Sequence, residues 1–170
     1  MNAPNAAMDA DEAIVTLYTA HYRSLVRLAA LLLHDTAAAE DVVQDAFVAT
    51  HKSWRRLRGP ENALAYLRQS VVNRARSRLR HLKVEERKAP RPMPDAPSAE
   101  YGAITAVERS DVMTALRGLP RRQREVLVLR YYSDLSEAQI ANALQISSGA
   151  VKSHASRGIS ALRESLESRR

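Results

Sequence analysis

The residues whose types and spacing could do chemistry fall into three groups, and none of them is catalytic in pattern. Near the C-terminus, Gly149, Ser153, Ser156, Arg157 and Ser160 lie along the outer side of one helical stretch, small or hydrogen-bonding and free of acids, with Lys152 at its flank. A helix that enters the major groove needs such a close-fitting, non-acidic face near its N-terminus, with a flanking cation for phosphate. In the middle of the chain Gln69, Asn73, Arg76, Ser77 and Arg80 share one helical face, with Arg74 and Arg78 at its edge. Asn and Arg can both contact bases and hold phosphates. Towards the N-terminus Glu40, Asp41, Gln44 and Asp45 form an acidic patch with no Lys four residues on. Exposed like charges at that spacing repel, and a basic partner surface relieves the cost; early acids also complement a helix dipole.

The elements that must position these groups can be read in order. Residues 1–10 are small and polar, an expected disordered start. Ile14, Leu17, Tyr18, Leu25, Leu28 and Leu32 recur with helical spacing, predicting one or two helices over Asp11–Leu33. After the His34-Asp35-Thr36 break, a helix is expected over about 37–54 with Ala39, Val42, Val43, Ala46, Phe47 and Thr50 inward. Arg58-Gly59-Pro60-Glu61-Asn62 reads as a loop. The next helix is expected over about 63–81, with Leu64, Leu67, Val71, Ala75, Leu79 and Leu82 as its core stripe. Periodicity is lost from Lys83, and Ala89–Pro97 holds four prolines, the composition of an extended, semi-rigid linker.

Helical spacing resumes from Ile104 to Leu116, and Leu119-Pro120 opens another helix with Pro in its first turn. Val126, Leu127 and Leu129 are expected inward, with Tyr131 and Tyr132 seating the pair of short helices after them. Ser136 with Gln139 is a capping box, and Leu135 with Ile140 its hydrophobic staple. Eleven residues later Ser147 is a second cap, with Ile146 and Val151 as staple. Two capped starts so close leave room for about two helical turns and a tight turn, the spacing of a helix-turn-helix. The fold class is therefore all-α: two small helical domains, 11–83 and 104–170, joined by a linker over 84–103.

Composition agrees and excludes much. The chain has 170 residues, no Cys, 5 Gly and 5% aromatics. Disulfides and thiolate metal sites are ruled out, and a reducing compartment is the default. No apolar run is long enough to cross a bilayer, and no basic signal-peptide start is present, so a cytoplasmic location without membrane insertion is expected. The net charge of +7 is uneven: residues 1–50 carry −5, 51–91 carry +10 and 92–170 carry +2. An acidic head beside a basic middle implies a basic partner surface and a polyanion. The five histidines lack metal-ligand spacing, no Gly-rich phosphate loop occurs, and no nucleophile–base set is visible. No enzyme activity, metal or cofactor is expected.

The order of these segments resembles the sigma-70 family of RNA polymerase sigma factors, in its compact extracytoplasmic-function (ECF) group, with the pattern of the actinobacterial SigE-type branch. Ala39–Phe47 is similar to the family's polymerase-binding helix, which implies Asp41, Gln44, Asp45 and Phe47 as polymerase contacts. Leu57–Leu67 is similar to the segment that holds the melted −10 element, and Val71–Arg76 to the −10 recognition helix. That implies DNA roles for Arg58, Asn62, Asn73, Arg74, Arg76, Ser77 and Arg80. Leu119–Ser136 with the helix-turn-helix resembles the −35 reader, implying DNA contacts by Ser148, Gly149, Lys152, Ser153 and Arg157. The resemblance further implies core RNA polymerase, promoter DNA and an anti-sigma factor as partners, the last able to hold the protein at a membrane. Family members usually carry Trp where Tyr66 stands, Arg or Gln where His154 stands, and Thr where Ala150 stands.

Two other readings compete. A stand-alone regulator with a LuxR-type helix-turn-helix shares Leu135–Ile140 and Ala150–His154. It would carry a receiver or ligand-binding domain of alternating strands and helices in its N-terminal half. A nuclease would need a carboxylate cluster for metal, and Glu40, Asp41 and Asp45 have no second contributing segment.

Overall fold

The computed structural model describes residues 9–88 and 111–168. The Pro-rich linker expected from Ala89 onward, and the expected helix start at Ile104, lie outside the described residues. Every described element is helical: α1 (Ala10–Leu33), α2 (Thr36–Leu57), α3 (Pro60–Lys88), α4 (Asp111–Arg117), α5 (Arg121–Leu127), a π segment (Val128–Tyr132), α6 (Glu137–Leu144) and α7 (Ser148–Glu167).

The first three helices pack mutually. Most of the expected apolar stripes are their core: Leu17, Leu25, Leu28 and Leu32 of α1; Ala39, Val42, Val43, Ala46 and Phe47 of α2; Leu67, Val71 and Ala75 of α3; Tyr18 is instead exposed, and Ile14, Leu64, Leu79 and Leu82 are half-buried. The first stretch is a single helix. It ends where His34 takes a left-handed conformation (φ 59°), its N–H donating to Ala30 O. Asp35 then caps α2, its carboxylate accepting from the Ala38 N–H at 3.1 Å. At the other end of the bundle His51 Nε2 lies 2.6 Å from Asp11 Oδ1, tying α2 to the start of α1.

The expected loop over 58–62 is shorter than the Gly-Pro signal suggests. Arg58 (φ 50°) ends α2 in the left-handed region, and Gly59 stands at φ 126°, a conformation that suits glycine. Pro60 then occupies the first helical position, where its missing N–H costs nothing. The first helical bond runs from Ala63 N–H to Gly59 O. Asn62 therefore sits in the first turn of α3 rather than in a loop. At its other end α3 continues to Lys88, past the point where apolar periodicity stops.

In the second half α5 and α7 pack closely, with α4 and α6 against α7. Val126, Leu129, Ile140, Leu144 and Val151 are fully buried. Gly158 explains the close approach: a Cβ there would lie 3.0 Å from Leu127 Cδ1. Both hydrogen bonds of the capping box form, Gln139 N–H to Ser136 Oγ and Ser136 N–H to Gln139 Oε1. Ser147 Oγ accepts from the Ala150 N–H at 3.1 Å. Between the two helices Gln145 is left-handed (φ 54°). Ile146 N–H donates to Ala141 O and Gln145 N–H to Asn142 O, a Schellman closure with Gln where Gly is usual.

One expectation fails here. Tyr131 and Tyr132 do not seat the helix-turn-helix; they are 65% and 40% exposed. The wide π turn, closed by Ser133 N–H to Val128 O, rotates them outward and leaves Val128 and Leu129 inside. Polar groups also enter the core. Arg124 and Glu125 are buried, Arg124 donating to the Leu119 and Arg117 carbonyls.

Candidate nucleic-acid and polymerase interfaces

The α3 surface is built by the position of α3 over α1 and α2. With Leu67, Val71 and Ala75 facing inward, two flanks remain. On one flank Tyr66, Gln69, Ser70, Asn73, Arg74, Ser77 and Arg80 line an open cleft of about 470 Å³. Asn73 and Arg80 are exposed, Arg74 and Ser77 half-buried, and Arg74 Nε donates to Ser70 Oγ at 3.2 Å. Tyr66 hydroxyl accepts from Ser53 Oγ at 3.4 Å. A Trp there could not accept that bond, since indole only donates. The cleft thus joins one aromatic, two amides and two guanidiniums, a set suited to stacking and edge-bonding a base.

Arg76 lies on the other flank. Its Nη1 donates to Leu144 O at 3.3 Å, and its Nε is 3.9 Å from Glu125 Oε1. The side chain is 17% exposed and faces the helix-turn-helix domain, not the cleft. Burial, then the nearby Arg122, pushes its pKa down, while Glu125 opposes the shift. The helical period keeps Arg76 about 60° from Asn73, on a neighbouring face; its partners Leu144 O and Glu125, from a distant part of the chain, draw its side chain away from the cleft.

The acidic face of α2 is placed as expected, with Asp41, Gln44 and Asp45 exposed. Its charge is balanced from elsewhere: Arg74, Arg78 and His81 of α3 line the same cleft as Asp41 and Asp45. Spacing along α2 alone could not show this. Phe47 is only 5% exposed and stacks obliquely on Tyr18, ring centroids 5.3 Å apart. It holds α2 in place and offers no contact surface. Arg58 and Asn62 are both exposed at the junction of α2 and α3.

On α7 Ser148, Gly149, Lys152, Ser153 and Arg157 are all exposed along one side, as the helical wheel requires. Lys152 Nζ lies 3.8 Å from Glu137 Oε1, a loose surface pair. His154, a departure from the family pattern, is half-buried on the flank, its Nδ1 shut away from solvent without a hydrogen-bond partner. It stands beside the groove-facing side rather than on it.

Sequence reasoning does not anticipate a seam between the halves. Leu135, Gln139, Asn142 and Ala143 of the helix-turn-helix face Ala65, Arg68, Gln69 and Val72 of α3. Tyr132 hydroxyl donates to Ser24 O at 3.2 Å. At one end His34 lies near Arg124 and Arg117. Although much of the residue's surface is open, desolvation and then those two cations hold its pKa down to about 4. The neutral imidazole is thus the form present at neutral pH, and no charge is added there until pH falls towards that value.

Residues 17–84 match the model of sigma-70 region 2, and residues 109–162 match that of sigma-70 region 4. The chain belongs to the sigma-70 family of RNA polymerase sigma factors. It is 36% identical to the RNA polymerase sigma-E factor of Streptomyces avermitilis, over 86% of this chain and 80% of that one. It is 32% identical to the ECF RNA polymerase sigma factor SigM of Mycobacterium tuberculosis, over 83% and 70%. The fold is similar to that of the Bartonella quintana sigma factor RpoE solved with the anti-sigma factor NepR. There the TM-score is 0.73 at 24% identity, covering 92% of this chain and 98% of that one. The family places this sigma factor in the ECF group, including the SigE-type branch. The region 2 match and the all-helical first half set aside the LuxR-type regulator, which would need a strand-containing sensor domain.

Proposed function

We propose that this sigma factor docks on core RNA polymerase through the acidic face of α2 and directs it to promoters. In this reading α3 reads and helps melt the −10 element, and α7 reads the −35 element. The observation that carries the reading is the α3 cleft beside the helix-turn-helix of the same chain. One surface can take an unstacked base; the other can enter an intact groove. Extruding a base costs a few kcal/mol, which contacts to polymerase and DNA backbone offset. Asp41, Gln44 and Asp45 are the polymerase contacts. Asn73, Arg74, Ser77, Arg80, Arg58 and Asn62 serve the −10 strand, while Ser148, Gly149, Lys152, Ser153 and Arg157 serve the −35 groove.

The chain performs no catalysis of its own in this scheme. An anti-sigma factor is its natural antagonist, by likeness to the NepR-bound fold, and a membrane-held anti-sigma factor would retain the protein at the cytoplasmic face. No described helix is long and apolar enough to cross a membrane.

In vitro transcription with core polymerase on a promoter library tests the function. The expected result is initiation at a two-part motif. Random initiation, or none, overturns the reading. Asp41→Arg combined with Asp45→Arg is expected to abolish capture by core polymerase; unaffected capture removes α2 from the docking role.

A further inference from the structure

Six large apolar side chains stand exposed among the described residues, and three of them, Val15 (65%), Tyr18 (44%) and Val48 (53%), belong to α1 and α2. They form one stripe. Asp11, Val15, Tyr18 and Tyr22 recur at steps of four, three and four, which is a single face of α1. Gln44, Val48 and His51 do the same on α2. The contacts between these faces run in antiparallel order. His51 Nε2 meets Asp11 Oδ1 at 2.6 Å, the Tyr18 ring leans on Phe47 with centroids 5.3 Å apart, and the Tyr22 hydroxyl lies beside Gln44 and Glu40. Tyr18 also stacks on Tyr22 at 4.4 Å between centroids. Phe47, 5% exposed, is thus the floor of the stripe, with Tyr18 above it and open to solvent.

Acids border this stripe. Val48 follows Asp45 by three residues and Gln44 by four, so it adjoins the exposed acidic face of α2, and Asp11 and Glu12 are exposed at the far end. Such a rim repels DNA, an anionic bilayer and a second copy of the same face, and it selects a basic partner. The acids are poor anchors by themselves. On the α3 side Asp41 and Asp45 share a cleft with Arg74, Arg78 and His81, so part of their field is already offset within the chain. Exposed ion pairs are also weak and screened by salt. An interface draws its strength from aromatic and aliphatic side chains at its centre, while rim charges guide the approach.

We propose that core polymerase is anchored on the stripe of Val15, Tyr18 and Val48, over Tyr22 and Phe47, and that the acidic face of α2 is the rim of that contact. The inference rests on the polymerase-docking reading above and adds to it the side chains that hold, as distinct from those that steer. The partner surface is then basic with an apolar ridge, shaped to lie along the groove between two antiparallel helices. Helix α1, which the acid pattern of α2 leaves out, becomes half of the site. Rim and anchor separate in kinetics. Losing a rim charge slows association and flattens its salt dependence, whereas losing an anchor speeds dissociation.

Purified core polymerase held on a sensor surface, with the full chain passed over it, reads both rates. Val15→Ser and Val48→Ser change exposed side chains and leave the buried core alone. Together they are expected to raise the dissociation rate about tenfold, with association and its salt dependence unchanged. Tyr18→Ala should do as much alone, and Tyr18→Phe, which keeps the ring on Phe47, should keep wild-type rates. Tyr18→Ala also removes packing on Phe47, so the serine pair is its control. Asp45→Asn is expected to slow association and leave dissociation near wild type. An unchanged dissociation rate with the serine pair overturns the anchor. So does self-association of the free wild-type chain that the same pair abolishes, because the stripe then belongs to a second copy. A wild-type chain that does not bind core polymerase removes the docking reading itself. Binding that survives the serine pair but is lost on Asp41→Arg with Asp45→Arg sinks the anchor and spares that reading.

Discussion

The two helices proposed to meet DNA, α3 and α7, present opposite kinds of surface. The α3 surface is deep and mixed: Tyr66, Gln69, Asn73 and Arg74 surround an open cleft, braced by hydrogen bonds from Ser53 to Tyr66 and from Arg74 to Ser70. The α7 surface is flat and small, with Ser148, Gly149 and Ser153 where larger side chains could stand, and Arg157 as its long donor. Depth suits a base taken out of the stack. Flatness suits close approach to an intact groove, where shape and phosphate positioning contribute as much as base edges. In the proposed scheme melting and anchoring are divided between a surface that encloses and a surface that rests against the duplex.

Asn73→Ala strikes the enclosing surface. It is expected to lower open-complex formation about ten- to a hundredfold, in line with the loss of one bidentate base contact. Permanganate reactivity of the melted strand measures it, and unchanged reactivity would move −10 reading off this cleft. Gly158→Ala attacks the support of the flat surface. Its Cβ would meet Leu127 Cδ1 at 3.0 Å and Gln123 Cβ at 3.3 Å, so the α5–α7 contact must spread. A loss of about 1–2 kcal/mol is expected by chemical denaturation, confined to the half that holds α4 to α7. A neutral result would show that Leu127 can give way. Lys152→Ala has the smallest effect. Weakened binding across all sequences is expected, with the salt slope falling by about one unit. Changed sequence preference instead would make the flat face a direct reader.

Much of the fold is legible in the sequence because local rules decide it. The caps and staples at Ser136 and Ser147 need only neighbours three or four residues away, and both caps form as written. The apolar stripes of α1 to α3 follow from period alone. What stays hidden depends on distant neighbours. That Arg74 and Arg78 share a cleft with Asp41 and Asp45, or that Arg76 meets Glu125, requires elements from separate parts of the chain to be placed together. The family motif assigns Phe47 to a contact surface, although its own apolar period already puts it inward. Tyr131 and Tyr132 are misjudged when an α-helical period is carried through a turn that is not α-helical.

That turn has a bearing on how this family member can change over time. A π turn holds one residue more than the α turn it replaces, and here it sits between α5 and the whole helix-turn-helix. Removing a single residue within Val128–Tyr132 would restore ordinary winding, so the turn itself absorbs the change and the helices downstream keep nearly their present rotation. Tyr131, 65% exposed, has room to vary, Tyr132 is tied to Ser24 O, and a one-codon deletion beside them would leave α7 facing the groove. The phase of α7 is therefore buffered at this turn, which can lose one residue by returning to α winding without re-aiming the helix that follows.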